Sequence, residues 1–332
     1  MTLNETDLAL VDRWQRGFPL VEQPFAQLGQ EFGFDEAATL VALQRLSDVG
    51  VLSRIGAVVR PLTVGSSLLA AMRVPQRRLE EVADIVSSEP LVNHSYERAH
   101  PINLWFVVAG ARSSEVRATI DRIERRTGIV VLDLPLARAY HIDLGFPLMS
   151  NACSRSPRVS ASADYRPYPT DQTLLAAIED GLPLVERPFR ELSKSLGIHE
   201  TDIIDALQRL LAAGVITRFG CVIRRRPLGY TANAMAVWNI PDATVDLVAG
   251  KFARNPHVSL CYRRPRRLPD WPYNLFCMVH AKTRRDAHAV IDDLNLVGET
   301  GLNEQATLFS VRCFKQRGAS FREASRENND VH

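Results

Sequence analysis

The side chains in this sequence that could do chemistry are guanidinium, imidazole and phenol groups near strand-like segments. The segment CYRRPRRLPDWPYNLFCMVH (261–280) holds four arginines between a tyrosine and a tryptophan, and HSYERAHPINLWFVV (94–108) holds two histidines around a tyrosine and an arginine. Arginine binds carboxylates through paired hydrogen bonds and stays charged. Imidazole and phenol groups can transfer protons. The pattern therefore indicates an anion-binding site with groups for proton transfer nearby.

An internal duplication sets the architecture in which these segments are placed. Residues 17–60 align with residues 181–224 at a constant offset of 164, and 21 of the 44 positions are identical. A length of 332 residues suits two halves of about 150 residues each. The sequence therefore predicts two homologous halves related by a pseudo-two-fold axis.

Composition excludes several classes of protein. Apolar residues make up 46% of the chain and charged residues 23%, as in an ordinary soluble protein. No apolar run is long enough for a membrane span, and the acidic N-terminus does not resemble a signal peptide. The five cysteines are scattered, which favours free thiols in the cytoplasm. A net charge of +2 gives no global argument for nucleic-acid binding.

Each half divides into a helical part and a mixed part. Helical spacing around Gly turns predicts a helix-turn-helix, with Asp35 as the N-cap of its second helix. The order β-α-β-β-α-β that follows the first strand is ferredoxin-like, and residues 139–144 suggest a further edge strand. We predict these segments: helix-turn-helix 1–60, ferredoxin-like 61–146, linker 147–171, helix-turn-helix 172–224, ferredoxin-like 225–314 and a polar tail 315–332.

This α+β layout, repeated in tandem, resembles the Lrp/AsnC family of bacterial regulators, and LQRLSDVGVLSRIGAVV (43–59) is similar to that family's passage from recognition helix to first strand. Such regulators bind DNA. Here the candidate recognition helices begin with residues of the wrong sign for phosphate: Asp35, Glu36, Glu200, Asp202 and Asp205. DNA binding is therefore not expected, although a regulator of this fold that responds to heme is the alternative interpretation.

A narrower resemblance fits the two segments described first. They look like those of the siroheme decarboxylases, a branch of the Lrp/AsnC fold, in the form that fuses a D-type half to an L-type half. The resemblance implies that siroheme is the partner and loses its 12- and 18-acetate carboxyls as CO2, which yields 12,18-didecarboxysiroheme for heme d1. A non-catalytic tetrapyrrole carrier is a third hypothesis. No membrane partner is expected, and a homodimer of such chains is left open.

The resemblance and the residue types together nominate the site. The catalytic candidates are His94, Tyr96, His100, Tyr262 and His280. An iron tetrapyrrole needs an axial ligand, for which we expect His94 or His280. The expected substrate-binding residues are Arg54, Arg60, Arg98, Arg218, Arg224, Arg225, Arg263, Arg264, Arg266, Trp271, Tyr273 and Asn274. No cofactor is expected beyond the iron tetrapyrrole substrate, because the macrocycle can itself accept the electrons.

The two halves differ where this chemistry would occur. Arg98 corresponds to Arg264 after a shift of two residues, and the counterpart of His280 is Ala109. The loop that follows the tyrosine is five residues longer in the second half. Two related but unequal pockets are expected, and the sequence leaves open whether one shared site or two separate sites result.

Overall fold

The computed structural model describes residues 4–60, 65–142, 145, 148, 168–301 and 303–316. The helices that open the two halves are α1 (Glu5–Arg13), α2 (Pro24–Gln30), α3 (Glu36–Asp48), α6 (Pro169–Ala177), α7 (Pro188–Leu196) and α8 (Glu200–Ala212). Asp35 caps α3 as predicted, since its carboxylate accepts a hydrogen bond from the amide of Ala38 at 2.7 Å. Helix α6 begins inside the predicted linker, most of which lies outside the described residues.

The remainder of each half is the mixed part. In the first half it comprises β1 (Leu52–Val59), β2 (Ser66–Met72), α4 (Leu79–Ser88), β3 (Val92–Arg98), β4 (Leu104–Gly110), α5 (Ser113–Thr127), β5 (Leu132–Pro135) and β6 (Arg138–Ile142). In the second half it comprises β7 (Ile216–Ile223), β8 (Ala232–Trp238), α9 (Val245–Phe252), β9 (Val258–Arg263), β10 (Leu275–Ala281), α10 (Arg284–Gly298) and β11 (Gln305–Gln316). The predicted β-α-β-β-α-β order is confirmed in both halves.

The two helical parts share one core through their first strands. Strands β1 and β7 pair with each other antiparallel, with Gly56 opposite Gly220. Phe25 of the first half and Phe189 of the second lie in the same buried cluster with the apolar faces of α3 and α8. This pairing joins the two duplicated helical units into a single body.

The other strands form a nine-stranded sheet in the order β5-β2-β4-β3-β11-β8-β10-β9-β6. The first part of β11 pairs with β8 of its own half, and its second part pairs with β3 of the first half. Strand β6, the predicted further edge strand, lies against β9 of the other half. Each half therefore lends its last strand to its counterpart, which no local sequence pattern indicates.

The sheet folds so that the two ferredoxin-like parts face each other, as expected for an Lrp-like pair. Trp105 of β4 lies 5.0 Å, ring to ring, from Trp271, in a buried cluster with Leu134, Met235 and residues of both halves. The opposite faces are covered by α4 with α5 and by α9 with α10. We call the surface between the two parts the inter-half face. Within the described residues, no helix has the length and apolarity to cross a bilayer.

The close approach of chain segments around the β1–β7 pair gives a test of the fold. A Cβ atom at Gly220 would overlap the backbone carbonyl oxygens of Trp14 and Gln15, whereas at Gly56 the nearest atom would be 3.5 Å away. We expect Gly220→Ala to lower the free energy of unfolding by about 1–3 kcal/mol, because backbone cannot yield to the methyl group. Urea denaturation measures the effect, and Gly56→Ala is the matched control. Equal effects of both substitutions would contradict this packing.

Candidate functional site

Strand β3 carries three of the predicted site residues on the inter-half face. His94 is paired with Val107, and Tyr96 with Trp105, so their side chains lie on the same side of the sheet as the tryptophan. The rings of His94 and Tyr96 are 6.2 Å apart with an interplanar angle of 25°, and the Arg98 guanidinium carbon lies 5.8 Å from the centre of the Tyr96 ring. The structure thus brings an imidazole, a phenol and a guanidinium together.

The second half completes this group. Arg98 donates from Nη1 to the backbone oxygen of Leu308 at 3.0 Å and from Nη2 to Sδ of Met278 at 3.9 Å. His280 lies two residues beyond Met278 on β10 and is within electrostatic range of Arg98 and Arg225. We call this assembly the inter-half site. It is defined by His94, Tyr96, Arg98, Arg225, Met278 and His280.

The charge of Arg98 is the least compensated feature of the inter-half site. The residue is 6% exposed, and its Nε is buried without a hydrogen-bond partner in the described part of the chain. Burial lowers the pKa of Arg98 to about 10, and the described residues give it no carboxylate partner. A buried guanidinium without a counter-charge is unfavourable, and an entering carboxylate would supply that charge.

Both imidazoles of the inter-half site are neutral at pH 7. Burial lowers the pKa of His94 to about 4, and the positive charge of Arg54 contributes in the same direction. Burial also lowers the pKa of His280 well below its usual value, with smaller contributions from Arg225 and Arg98. A neutral imidazole can coordinate iron, or it can take up a proton once anions enter beside it.

Tyr96 is tied to the last strand of the other half. Burial raises the pKa of its phenol, and a hydrogen bond with the thiol of Cys313 acts in the same direction. Burial likewise raises the pKa of Cys313, and Arg226 and Arg224 oppose that rise electrostatically. The predicted ligand Arg224 therefore lies within electrostatic range of Cys313, and the predicted ligand Arg225 within that of His280. Cys313, Arg226 and Met278 were not predicted, although Arg226 directly follows the predicted ligands Arg224 and Arg225 in the sequence.

The pseudo-equivalent position in the other half keeps the tyrosine and the arginine. Tyr262 pairs with Phe276 as Tyr96 pairs with Trp105, and Arg264 donates to the backbone oxygen of Leu134 at 2.5 Å as Arg98 does to Leu308. This register confirms the shift of two residues. Burial raises the pKa of Tyr262 to about 12 and lowers that of Arg264 to about 10. We call this position the counterpart site.

The counterpart site has lost both imidazoles. Leu260, paired with Met278, stands where the inter-half site has His94, and Ala109 stands where it has His280. The two predicted pockets are therefore unequal, but the histidines favour the site built around Tyr96.

A cavity of about 440 Å³ borders Arg264, and most of its cations are engaged within the protein. Arg263 and Arg266 contact the carboxylate of Asp242 at 2.9 and 3.1 Å. Arg266 also donates to the backbone oxygen of Ile240 at 2.6 Å. The side-chain amide of Asn274 accepts a hydrogen bond from the backbone N–H of Ile240 and donates one to its backbone oxygen. These contacts fix the loop geometry, so Arg263, Arg266 and Asn274 have less capacity for a ligand than the sequence suggested.

The remaining predicted arginines lie on or directly after the paired strands β1 and β7. Arg54 faces His94 closely enough to lower its pKa. Arg60 donates from Nε to the backbone oxygen of Gly214 at 2.9 Å, and Arg218 donates to the backbone oxygens of Gln15 and Cys221. Arg60 and Arg218 therefore hold strands β1 and β7 against neighbouring backbone, and the structure does not bring them to the inter-half site.

Two aromatic candidates are core residues. Trp271 is fully buried, and its ring lies 4.9 Å from that of Tyr273, which is 9% exposed. Trp271 is predicted to bind substrate, and in the structure its side chain lies within the buried cluster formed by residues of both halves. His100 lies in the turn after β3, accepts a hydrogen bond from the Ile102 amide and meets Trp271 edge-on at 5.6 Å. Burial lowers the pKa of His100 as well.

The side chains of the inter-half site suit a ligand that already contains iron. Among the described residues, no group of three or more His, Cys, Asp or Glu side chains is arranged to hold a metal ion. His94 and His280 are instead single neutral imidazoles on separate strands, beside guanidinium groups. Neutral imidazoles can coordinate iron, and guanidinium groups can bind carboxylates.

The fold and the site define a class that comparison with known proteins supports. The family model described as "AsnC-like ligand binding domain" matches residues 63–141 and 227–315. A second, described as "Siroheme decarboxylase NirDL-like HTH domain", matches residues 7–52 and 171–216. The chain is thus a tandem pair of Lrp/AsnC-like units.

Comparison with individual proteins places the chain in a narrower family within this class. The chain is 43% identical to the siroheme decarboxylase NirDL subunit of Paracoccus denitrificans, over 98% of this chain and all of the relative. It is 33% identical to the siroheme decarboxylase of Hydrogenobacter thermophilus, over 91% of this chain and 90% of the relative. A crystal structure of a siroheme decarboxylase NirDL in complex with an iron-uroporphyrin III analogue matches with a TM-score of 0.69 at 30% identity, covering 96% of this chain and 94% of that one. The chain belongs to the NirDL siroheme decarboxylase family.

The depressed pKa of His94 makes stability depend on pH. In the unfolded chain His94 binds a proton below about 6.5, whereas in the folded protein it does so below about 4. The contribution of His94 to the free energy of unfolding is therefore constant above pH 6.5 and falls as pH decreases toward 4, by at most about 1.4 kcal/mol per unit.

We expect His94→Gln to flatten the dependence of unfolding free energy on pH between 6.5 and 4, because glutamine does not titrate. Urea denaturation at several pH values measures the slope, and NMR of the ligand-free protein locates the titration of the imidazole itself. Parallel curves for the variant and the parent protein would contradict the burial of His94 as a neutral group.

Proposed function

We propose that this protein is a siroheme decarboxylase, a carboxy-lyase that removes the 12- and 18-acetate carboxyls of siroheme as CO2 to give 12,18-didecarboxysiroheme for heme d1. The observation that carries the proposal is the inter-half site, where the buried and uncompensated cation Arg98 lies within electrostatic range of the neutral imidazole of His280. The neutral imidazole of His94 lies farther along the same strand as Arg98, beside Tyr96. Family membership supports the same conclusion. The buried free thiols Cys221, Cys261 and Cys277 are consistent with action in the cytoplasm.

The carboxylates of siroheme would be held by guanidinium groups from both halves. Arg98 lies deepest, and Arg225 lies near His280, so a carboxylate between them is next to that imidazole. Arg54 lies toward His94. We therefore assign His280 as the residue beside the reacting acetate and His94 as the axial ligand of the substrate iron. His280 is assigned to the acetate because it has two cationic neighbours, Arg225 and Arg98, whereas His94 has one, Arg54.

The reaction breaks the bond between the acetate methylene carbon and its carboxyl carbon. Carbon dioxide leaves, the electron pair stays on the methylene carbon and is delocalised into the macrocycle, and one proton completes a methyl group. Entering carboxylates raise the pKa of His280 from its depressed value, so that His280 takes up a proton with the substrate. His280 can then deliver that proton as a general acid, with Tyr96 as the nearby phenol.

One site serving both carboxyls follows from the asymmetry. The counterpart site keeps Tyr262 and Arg264 but has Leu260 and Ala109 in place of the histidines. We propose that the two decarboxylations occur one after the other at the inter-half site, and that the singly decarboxylated macrocycle must reorient between them.

The decisive experiment is anaerobic incubation of the full chain with siroheme, followed by mass spectrometry of the tetrapyrrole. We expect a product lighter by two molecules of CO2, preceded by a species lighter by one, because one site must act twice. Unchanged mass in the presence of demonstrated binding would make the protein a carrier and contradict the proposal.

The pseudo-symmetry supplies a matched pair of variants for the site assignment. Arg98→Met and Arg264→Met remove two guanidinium groups that donate to equivalent backbone oxygens. Burial lowers the pKa of each arginine to about 10, so their effects on stability should be similar. We expect Arg98→Met to lower kcat/KM for siroheme by about a hundredfold, since it removes a charge-assisted hydrogen bond in a buried site. Arg264→Met should retain activity within a few fold. Equal loss of activity in both variants would contradict the single-site assignment.

A further inference from the structure

A row of polar side chains crosses four strands on the inter-half face. Asn233 of β8 is paired with His280 of β10, and Ser310 of β11 is paired with Arg98 of β3. Strands β8 and β11 are themselves neighbours, with Ala234 opposite Phe309, so the same register continued by one residue places Asn233 beside Ser310. The order across the sheet is therefore His280, Asn233, Ser310 and Arg98.

All four side chains project to the same side of the sheet. Met235 and Leu308, two residues from Asn233 and Ser310, belong to the buried cluster between the two halves, whereas Ala234 and Phe309 belong to the cluster under the helices. Because side chains alternate along a strand, Asn233 and Ser310 point toward the inter-half face. Paired positions on neighbouring strands have Cβ atoms roughly 5 Å apart, which is within reach of a shared ligand group.

Three polar atoms of this row are buried and unsatisfied. Within the described residues, Oδ1 of Asn233, Oγ of Ser310 and Nε of Arg98 have no hydrogen-bond partner. Buried polar groups in folded proteins are normally paired, so a run of unpaired ones on neighbouring strands marks a place where another group binds. The run contains a donor that is charged, a hydroxyl that can donate, and an amide oxygen that accepts.

The duplicated half shows what this position looks like without such a row. Ser67 is paired with Ala109 as Asn233 is paired with His280, and Leu136 follows Pro135 where Ser310 follows Phe309. The asparagine, the serine and the histidine are thus all present at the site with imidazoles. At the counterpart site, Ser67 and Leu136 stand in place of the asparagine and the serine, and Ala109 stands in place of His280.

We propose that Asn233 and Ser310 are positioning residues for the carboxyl group that is lost, an inference that rests on the proposed function. The Ser310 hydroxyl and Nε of Arg98 donate to the two oxygens of one acetate. Oδ1 of Asn233 accepts the N–H of His280 on its own side, which turns the other ring nitrogen toward the methylene carbon. Ser310 therefore acts on binding, and Asn233 acts on the proton transfer through His280.

The two roles predict different kinetic effects. Ser310→Ala should weaken binding of iron uroporphyrin, titrated by its absorption change, and raise KM for siroheme, each by about tenfold, because a hydrogen bond to a charged group is lost. Asn233→Leu should lower kcat by about tenfold or more with little change in binding. Asn233→Gln, which keeps a neutral amide oxygen as acceptor, should restore more of kcat than Asn233→Leu does, and Ser310→Thr, which keeps the hydroxyl, should restore binding.

Ser67→Ala and Leu136→Ala are the matched controls at the counterpart site, and both should bind and turn over as the parent chain does. The proposal is overturned if Ser310→Ala and Asn233→Leu stay within twofold of the parent chain, or if the controls lose as much. A structural role would also lower the urea midpoint and would not separate KM from kcat. If the parent chain binds iron uroporphyrin but does not decarboxylate siroheme, the proposed function fails, and the binding measurements still decide the role of Ser310.

Discussion

The buried charge of Arg98 is the constraint on which the site depends. Its guanidinium is held between the two halves by a backbone oxygen of the other half, and no carboxylate among the described residues neutralises it. Burial depresses the pKa of this arginine and of both neighbouring imidazoles in the same way, because each charged form is poorly solvated there. The ligand-free site is therefore prepared for anions, and the ligand supplies the missing negative charge.

The exchange of last strands explains how one site draws on both halves. Since β11 crosses to pair with β3, Ser310 and Cys313 of the second half lie beside Arg98 and Tyr96 of the first. The crossing of β6 to β9 gives the counterpart site the same backbone frame. Gene duplication thus produced two equivalent frames in one chain, and substitutions on that frame, such as Ala109 for His280, made them unequal.

A local excess of arginine in the sequence indicated the ligand-binding cations less well than their burial in the structure does. The cluster at 263–267 stands out in the sequence, yet Arg263 and Arg266 are paired with Asp242 and fix a loop. Arg98, a single arginine in its segment, carries the uncompensated charge. Trp271 was likewise predicted to bind substrate and is buried in the cluster between the two halves. Sequence shows which groups are present, whereas partners reached across the fold decide which of them remain available to a ligand.

The sequence alone determined the duplication, the α+β class, the helix-turn-helix units, the strand and helix order and the resemblance to siroheme decarboxylases, because these depend on local periodicity and on motifs contiguous in the chain. It also nominated His94, Tyr96, Arg98 and His280. The tertiary structure decided that His280 of the second half lies near Arg98 of the first, that the last strands exchange, and that Asn233 and Ser310 line the same face. Those relations arise from strand pairing between residues far apart in sequence, and strand register is set by packing of the whole sheet.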